Sequence, residues 1–269
     1  MEYRPTENDA PIGSRRQERM RIILELLVGR DDMEISDLAH RLQISATSLR
    51  RDLSLLTSQG LVARTHGRVR VVTQTMEIPV RLRSSQATVA KRRIARYATG
   101  LLELGPQAVA VSGGTTTSEV VRALRNRRDT TVLTNALSIA VEAVTAPRLK
   151  VIVTGGSLRA NSLEAVGPLT EAAFRAFNVG TAFLGADGVT AQSGVTTHDE
   201  TEARANRAMV EHAQRVIVVC DGSKIGRITM TTMAGLELIQ DVVTDDTAPS
   251  DELALIRESG VQVHVVSSS

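Results

Sequence analysis

Apolar residues follow two different rhythms along this chain, and the change between them falls near residue 85. Before it the spacing is helical. Met20, Ile23, Leu24, Leu27 and Val28 line one side of a helix expected over 15–28. A second helix is expected at Ile35–Leu42, and only Gln43 and Ile44 separate it from Ser45. In the next stretch, Ile44–Gly60, Leu49, Leu53 and Leu56 recur at helical spacing. Ser45 sits where an N-cap hydroxyl accepts a free amide, and Gly60 where a helix commonly ends. Leu61–Val72 then alternates as two short strands around a His66-Gly67 turn. The adjoining segment, Thr73–Ser85, carries Pro79 and scattered Arg with little periodicity, and reads as a linker.

Beyond the linker a helix is expected over 86–104, with Val89, Ile94, Ala98 and Leu101 on its apolar side. Short apolar runs then alternate with helical patterns. The runs are Val109–Val111, Thr131–Leu133, Val151–Val153, Ala182–Leu184, Val216–Val219 and Val261–Val265. The helical patterns are Ser118–Arg125, Ala136–Val144, Leu169–Phe177 and Thr201–Ala213. Strands that are apolar throughout and alternate with helices predict an α/β domain whose mostly parallel sheet is covered on both faces. Ligands of such sheets collect beyond the carboxyl ends of the strands.

The first five runs each give way to small or polar residues. The first leads into Ser112-Gly113-Gly114-Thr115-Thr116-Thr117, the second into Thr134-Asn135, and the third into Thr154-Gly155-Gly156. The fourth leads into Gly185-Ala186-Asp187-Gly188 and the fifth into Asp221-Gly222-Ser223-Lys224. Two glycines before three threonines at a helix start suit a phosphate, which takes free amides and the positive end of the helix dipole. The loop is neither a Walker loop nor a GxGxxG dinucleotide loop. Gly113, Gly114, Thr115, Thr116, Thr117, Gly155 and Gly156 are therefore expected to bind an anion. Lys224 adds a positive charge, Asn135 an amide, and Asp187 and Glu202 carboxylates for hydroxyl groups. Other readings stand beside these: Asp187-Gly188 as a simple turn, and Asp221 and Ser223 as helix caps.

The N-terminal pattern of helix, break, short helix, tight turn, helix and hairpin has the order of a winged helix-turn-helix. The third helix presents Thr47, Ser48, Arg50 and Arg51 on its outer side after Ser45. Arg pairs bidentately with guanine in the major groove, and hydroxyls reach phosphates. In the hairpin, Arg64, Arg68 and Arg70 are placed for backbone phosphates, with His66 at the tip.

Charge agrees with that division. The whole chain carries a net charge of only +2. Residues 1–96, however, hold 18 Arg and Lys against 11 Asp and Glu, while the remainder holds 14 against 19. A basic first third joined to a mildly acidic rest fits a nucleic-acid-binding module attached to another domain. Three of the 32 basic residues are lysines, Lys91, Lys150 and Lys224, which marks them as places where a compact charge is wanted. A single cysteine, Cys220, excludes an internal disulfide framework and a cysteine metal cluster. The five histidines show no HExxH pattern, so no metal site is expected. The polar N-terminus and the lack of long apolar runs lead to a cytoplasmic expectation, with no membrane contact.

The residues Leu49-Arg50-Arg51-Asp52-Leu53, Gln59-Gly60-Leu61 and Arg64-Thr65-His66-Gly67 resemble the DNA-binding domain of the DeoR family of bacterial transcriptional regulators. The second half resembles the sensor domain of the same family. The matching stretches are Gly114–Thr117, Thr134-Asn135, Gly155-Gly156, Phe183–Gly188, Gly194–Thr197, Glu202-Ala203 with Arg207-Ala208-Met209, and Asp221–Gly226. There are two departures. Arg68 stands where the family usually has a second glycine in the wing, and Ser112 where many members carry Asp.

The resemblance implies an N-terminal winged helix-turn-helix at 15–72 after a flexible N-terminus at 1–14. It also implies a linker at 73–85 and a ribose-phosphate-isomerase-like sensor domain at 86–269. The function it implies is a DNA-binding repressor of a carbohydrate-metabolism operon, with a double-stranded operator and a phosphorylated sugar as partners. No catalytic residue and no cofactor are expected. A homo-oligomer, dimer or tetramer, is expected because one small module makes too few contacts for tight specific binding. The competing class is a sugar-phosphate isomerase or deaminase with an appended module, in which Asp187, Glu202, His198 and Lys224 would supply acid, base and charge.

Overall fold

The computed structural model describes residues 12–28, 30, 32–72, 77–83 and 87–268. The chain divides into two units, 1–86 and 87–269. Each is described by itself.

In the first unit, the elements in order are α1 (Ile12–Leu27), β1 (Met33–Glu34), α2 (Ile35–Leu42), α3 (Ala46–Ser58), β2 (Val62–Thr65), β3 (Arg68–Val71) and α4 (Val80–Arg83). The apolar stripe read from the spacing is the core. Met20, Ile23, Leu24 and Leu27 of α1 pack against Leu38, Leu49, Leu53 and Leu56, with Val62, Val69 and Val71 of the hairpin. Gln43 turns the chain between α2 and α3 in the left-handed region, at φ 52°. Ser45 caps α3 by accepting the Ser48 amide at 3.3 Å. His66 (φ 47°) and Gly67 (φ 80°) both sit at positive φ, as a tight two-residue hairpin turn requires.

Three features differ from the sequence reading. α1 begins at Ile12, inside the stretch expected to be a flexible N-terminus, whose residues 1–11 lie outside the described residues. Met33–Glu34 forms a third strand, paired antiparallel with β3. Two residues carry no periodicity, so no pattern reveals this strand. The expected linker contains α4, whose Leu82 is buried in the same core. Pro79 precedes that turn of helix, and its residues are too few to show a helical period.

One charged contact reinforces the packing of α1 on α3. Asp52 is buried on α3, and Arg16 Nε (2.9 Å) and Arg19 Nε (2.5 Å) both donate to its carboxylate.

In the second unit the elements are α5 (Thr88–Gly100), β4 (Gln107–Val111), α6 (Thr115–Leu124), β5 (Thr130–Thr134), α7 (Leu137–Val144) and β6 (Leu149–Val153). β7 (Ser157–Arg159), β8 (Glu164–Val166), α8 (Pro168–Arg175), β9 (Val179–Leu184), β10 (Gly188–Thr190), β11 (Gly194–Thr197) and α9 (Glu200–Glu211) come next. The unit closes with β12 (Ala213–Val219), β13 (Thr231–Ala234), β14 (Asp241–Asp245), α10 (Ser250–Glu258) and β15 (Gln262–Val266).

Seven strands form one sheet in the order β15-β14-β12-β9-β4-β5-β6, every neighbouring pair parallel. Alternate residues serve opposite faces, as a pleated strand dictates. Val109, Val111, Val132, Phe183, Ile217 and Val219 meet α5, α6 and α7. Ala110, Leu133, Ala182, Leu184, Val216 and Val218 meet α8, α9 and α10. Two small antiparallel sheets, β7-β8 and β10-β11-β13, lie outside the main one. β14 escapes the sequence pattern because only Val242 and Val243 are apolar in Asp241–Asp245, although all five residues are buried.

The Asp52 contact generates a prediction with a direction. Arg16 and Arg19 are partly exposed, at 44% and 29%, while Asp52 is 1% exposed. Removing the two cations strands a buried carboxylate, whereas removing the carboxylate leaves cations that water can reach. In denaturant unfolding of the full chain, R16A/R19A is expected to destabilise the first unit by about 3–5 kcal/mol. D52A is expected to cost less, about 1–2 kcal/mol.

Candidate nucleic-acid interface and candidate anion site

The outer side of α3 is polar because its inner side is committed to the core. Thr47, Arg50 and Arg51 are exposed, and Ser48 is half-buried against the cap. Arg50 lines one open groove together with Ser54, Arg64, His66, Gly67 and Arg68, so the helix and the hairpin tip share a surface. On its other flank, Arg50 and Arg51 border a shallow hollow with Arg16 and Thr47. Of the nine head residues singled out from the sequence, Arg50, Arg64, His66 and Arg68 thus meet in one groove. Ser45 is occupied in capping α3. Arg68 is engaged within the protein, donating to Asp32 at 2.6 Å and to Glu34 at 3.3 Å. Those two carboxylates offset much of its charge, which leaves Arg50 and Arg64 the less compensated cations of the groove.

In the second unit, chain direction decides where a ligand fits. β4, β5 and β6 proceed toward one edge of the sheet, and β9, β12, β14 and β15 toward the other. The order reverses between β4 and β9. Loops leaving neighbouring strands toward opposite faces open a crevice at such a switch point.

The loop after β4 opens into it. Ser112 is buried, and its hydroxyl accepts the Gly185 amide at 2.9 Å, joining the ends of β4 and β9. Gly114 starts α6 at φ 137° with no side-chain cap, so the first-turn amides are open to an outside acceptor. Thr117 and Ser118 donate back to the Gly114 carbonyl at 3.0 and 2.8 Å and hold the loop in shape.

The remaining sequence candidates distribute unevenly. Asp187 and Glu202 come together, since the Thr197 hydroxyl lies 3.3 Å from Asp187 Oδ2 and 2.9 Å from Glu202 Oε1. Asn135 is buried at the end of β5, its Nδ2 donating to the Ala165 carbonyl of β8 at 3.0 Å. Its Oδ1 has no partner among the described residues. Gly156 (φ 125°) meets Thr170 and the Val166 carbonyl closely enough to exclude a side chain. That is a packing role. Lys224 lies on the turn after β12, capped by Asp221. The buried Lys91 on α5, one of the three lysines singled out from the sequence, sits 3.7 Å from Asp221 Oδ2 and ties α5 to this edge.

Sequence reasoning passed over Glu164, Asn206 and Arg159. Glu164 is buried at the start of β8, and its Oε1 accepts the Gly113 amide. Its Oε2 lies 3.4 Å from Asn206 Nδ2 on α9. Burial pushes the Glu164 carboxyl well above its ordinary value, and repulsion from Glu202 adds to the shift. Arg159 donates to Glu202 at 3.0 Å and pairs with Asp199 at 3.1 Å. Burial would raise the Asp199 carboxyl, but bonds from Thr201, the Glu202 amide and Arg159 hold it below its usual range. One signal was available: Glu202 and Asn206 stand four apart on a helix face otherwise made of Ala203, Ala205, Met209 and Val210.

Two family models match the chain. The DeoR C terminal sensor domain matches residues 86–246, and the DeoR-like helix-turn-helix domain matches residues 19–75. The chain belongs to the DeoR family. Among DeoR-family relatives, the HTH-type transcriptional regulator GlpR of Haloferax volcanii is 37% identical, covering 91% of this chain and 96% of its own. The transcriptional repressor AccR of Agrobacterium fabrum is 35% identical, covering 85% and 89%. The glycerol-3-phosphate regulon repressor of Escherichia coli K12 is 27% identical, covering 90% and 96%. Solved structures that align include a D-ribose-5-phosphate isomerase in complex with phospho-erythronic acid, with TM-score 0.39 and 14% identity over 50% of this chain and 52% of that one. The sorbitol operon regulator SorC of Klebsiella pneumoniae aligns with TM-score 0.41 and 14% identity over 88% and 99%. DeoR-family members of this kind are transcriptional regulators. No helix among the described residues is long and apolar enough to cross a membrane.

The groove geometry ranks the head's cations. Against a duplex selected from a random pool, R50A is expected to weaken binding by about 1–3 kcal/mol and to relax preference at one position. R68A, whose charge is already met by Asp32 and Glu34, is expected to change affinity less than R50A in the same fluorescence-anisotropy titration. A larger loss for R68A would reverse the ranking.

Proposed function

We propose that this DeoR-family regulator is a repressor of a carbohydrate-metabolism operon and that a phosphorylated sugar, bound at the β4/β9 crevice, sets its grip on operator DNA. The observation carrying this reading is the uncapped start of α6 behind Ser112-Gly113-Gly114, placed at the switch point of a parallel sheet. Open amides at a helix start favour a phosphate, and the acceptors Asp187, Glu202 and Asn135 favour hydroxyl-bearing carbon. The effector-binding set is Gly113, Gly114, Thr115, Thr116, Thr117, Asn135, Asp187, Glu202 and Lys224, with Gly155 and Gly156 shaping the rim. A relative that represses a glycerol-3-phosphate regulon supports the same ligand class.

The DNA-binding set is Ser45, Thr47, Ser48, Arg50, Arg51, Arg64, His66 and Arg68, with Ser45 acting through the cap it provides. Binding in the cytoplasm to a repeated operator calls for a dimer or tetramer, since one module contributes too few contacts. The effector shifts DNA affinity only by as much as it prefers one arrangement of the paired heads over another. Relatives that are regulators support this reading over a sugar-phosphate isomerase or deaminase.

T116A and K224A test the division of labour. Both are expected to bind operator with wild-type affinity. Both are expected to need at least tenfold more of a phosphorylated sugar for half-maximal response, with hits chosen by thermal shift against a panel of pentose and hexose phosphates. Wild-type sensitivity in both variants would remove the crevice as the effector site.

A further inference from the structure

The Gly113 amide, the first donor of the cradle, is not open. The Glu164 carboxyl is hydrogen-bonded to it, so tightly seated that any side chain at 113 would overlap it. A fixed acidic group thus stands where the effector's anion would approach, and the same domain supplies both. The surroundings do not favour its charge. Glu202 from α9 and Asp187 from the loop after β9 are carboxylates. Arg159, on the hairpin partner of β8, is taken up by Glu202 and Asp199. From α8 comes Glu171, which pairs outward with Arg175 and Arg204. His198 lies on the loop into α9, directly before Asp199. The remaining neighbour is neutral: Asn206 is 2% exposed, and its Oδ1 has no partner among the described residues.

A 3.4 Å approach of Asn206 Nδ2 to Oε2 is long for an N–H···O bond, where about 2.9–3.0 Å is usual. With Oε2 protonated and the amide turned end for end, the O–H donates to the Asn206 oxygen, which otherwise has no partner among the described residues.

We infer that Glu164 determines which anions this sensor accepts, because its carboxyl holds the first amide of the cradle and lets a dianion in beside it only when neutral. The inference rests on the sugar-phosphate function proposed for the crevice. Ionised Glu164 repels the incoming dianion; neutral Glu164 keeps the Gly113 amide without that repulsion. Anion binding therefore retains a proton on the protein. The raised carboxyl value places the loss of that proton, and of affinity, on the alkaline side of the ordinary carboxylate range.

Sulfate is the probe, since its charge does not change across the range needed, with ribose 5-phosphate as a phosphorylated-sugar probe. Isothermal titration of the full-length protein from pH 5.5 to 8.5 is expected to show wild-type sulfate affinity falling with rising pH, by up to tenfold per unit for one linked proton. E164Q, of equal shape and without the titration, is expected to give a flat profile and tighter sulfate binding than wild type at the alkaline end of the range. E164S serves as the second variant if E164Q unfolds, with the same flat profile expected. A wild-type slope that survives in the Glu164 variants, or that disappears in H198N instead, overturns the inference while leaving the sugar-phosphate function intact. Failure of every form to bind either sulfate or ribose 5-phosphate overturns both.

Discussion

A parallel sheet buried on both faces leaves its polar chemistry one outlet, and here that outlet is the carboxyl edge where strand order reverses between β4 and β9. Every interior residue of the central strands is consumed by packing: Val109, Ala110 and Val111 on one strand, Ala182, Phe183 and Leu184 on its neighbour. Only beyond residue 111 on one side and 184 on the other do backbone amides and hydroxyls become available. Ser112 makes this junction a single unit by accepting the Gly185 amide. A carboxylate at 112, as many family members carry, would place negative charge at the mouth of the cradle. The serine leaves that position neutral, and the acidic group on the cradle's first amide is contributed instead by Glu164.

The head obeys a different constraint. It is small, so its three helices and hairpin must share one cluster of aliphatic side chains. The outer side of α3 is free to be polar because its core-facing side already supplies Leu49, Leu53 and Leu56, with Leu55 partly buried beside them. Asp52 interrupts that inner stripe, and its two arginines from α1 convert a buried charge into a fixed contact between the first and third helices. The arginines of the groove are held apart from this contact. Arg50 and Arg64 face outward, whereas Arg68 answers Asp32 and Glu34.

These two constraints explain which parts of the molecule were legible in the sequence. Elements governed by periodic burial were: the three head helices, the hairpin, and six of the seven parallel strands, because Val, Ile and Leu repeat at the spacing the backbone dictates. β14 was hidden since Asp241 and Asp245 flank two valines, and their burial depends on partners distant in sequence: Arg215 and His264 for Asp241, the Gly222 amide for Asp245. β1 was hidden because two residues have no period, and α4 because Pro79 and its arginines imitate a linker. In the candidate site, residues at strand ends were singled out by position. Glu164 and Asn206 were not, since each lies inside a regular element and matters only for what the fold sets opposite it.

That difference bears on how a sensor of this design acquires its ligand preference. In the proposed site, the loop of glycines and threonines would supply generic anion binding, because backbone amides and a helix start favour any negative group. Discrimination must come from groups that penalise the wrong ligand, and a buried carboxyl on the same amides is such a group. Glu164 reaches the Gly113 amide from β8, and Asn206 on α9 approaches Glu164, so preference could change by substitution there without altering the loop proposed to hold the phosphate. Under the proposed function, the proton count of this buried cluster would be read by the ligand together with its shape.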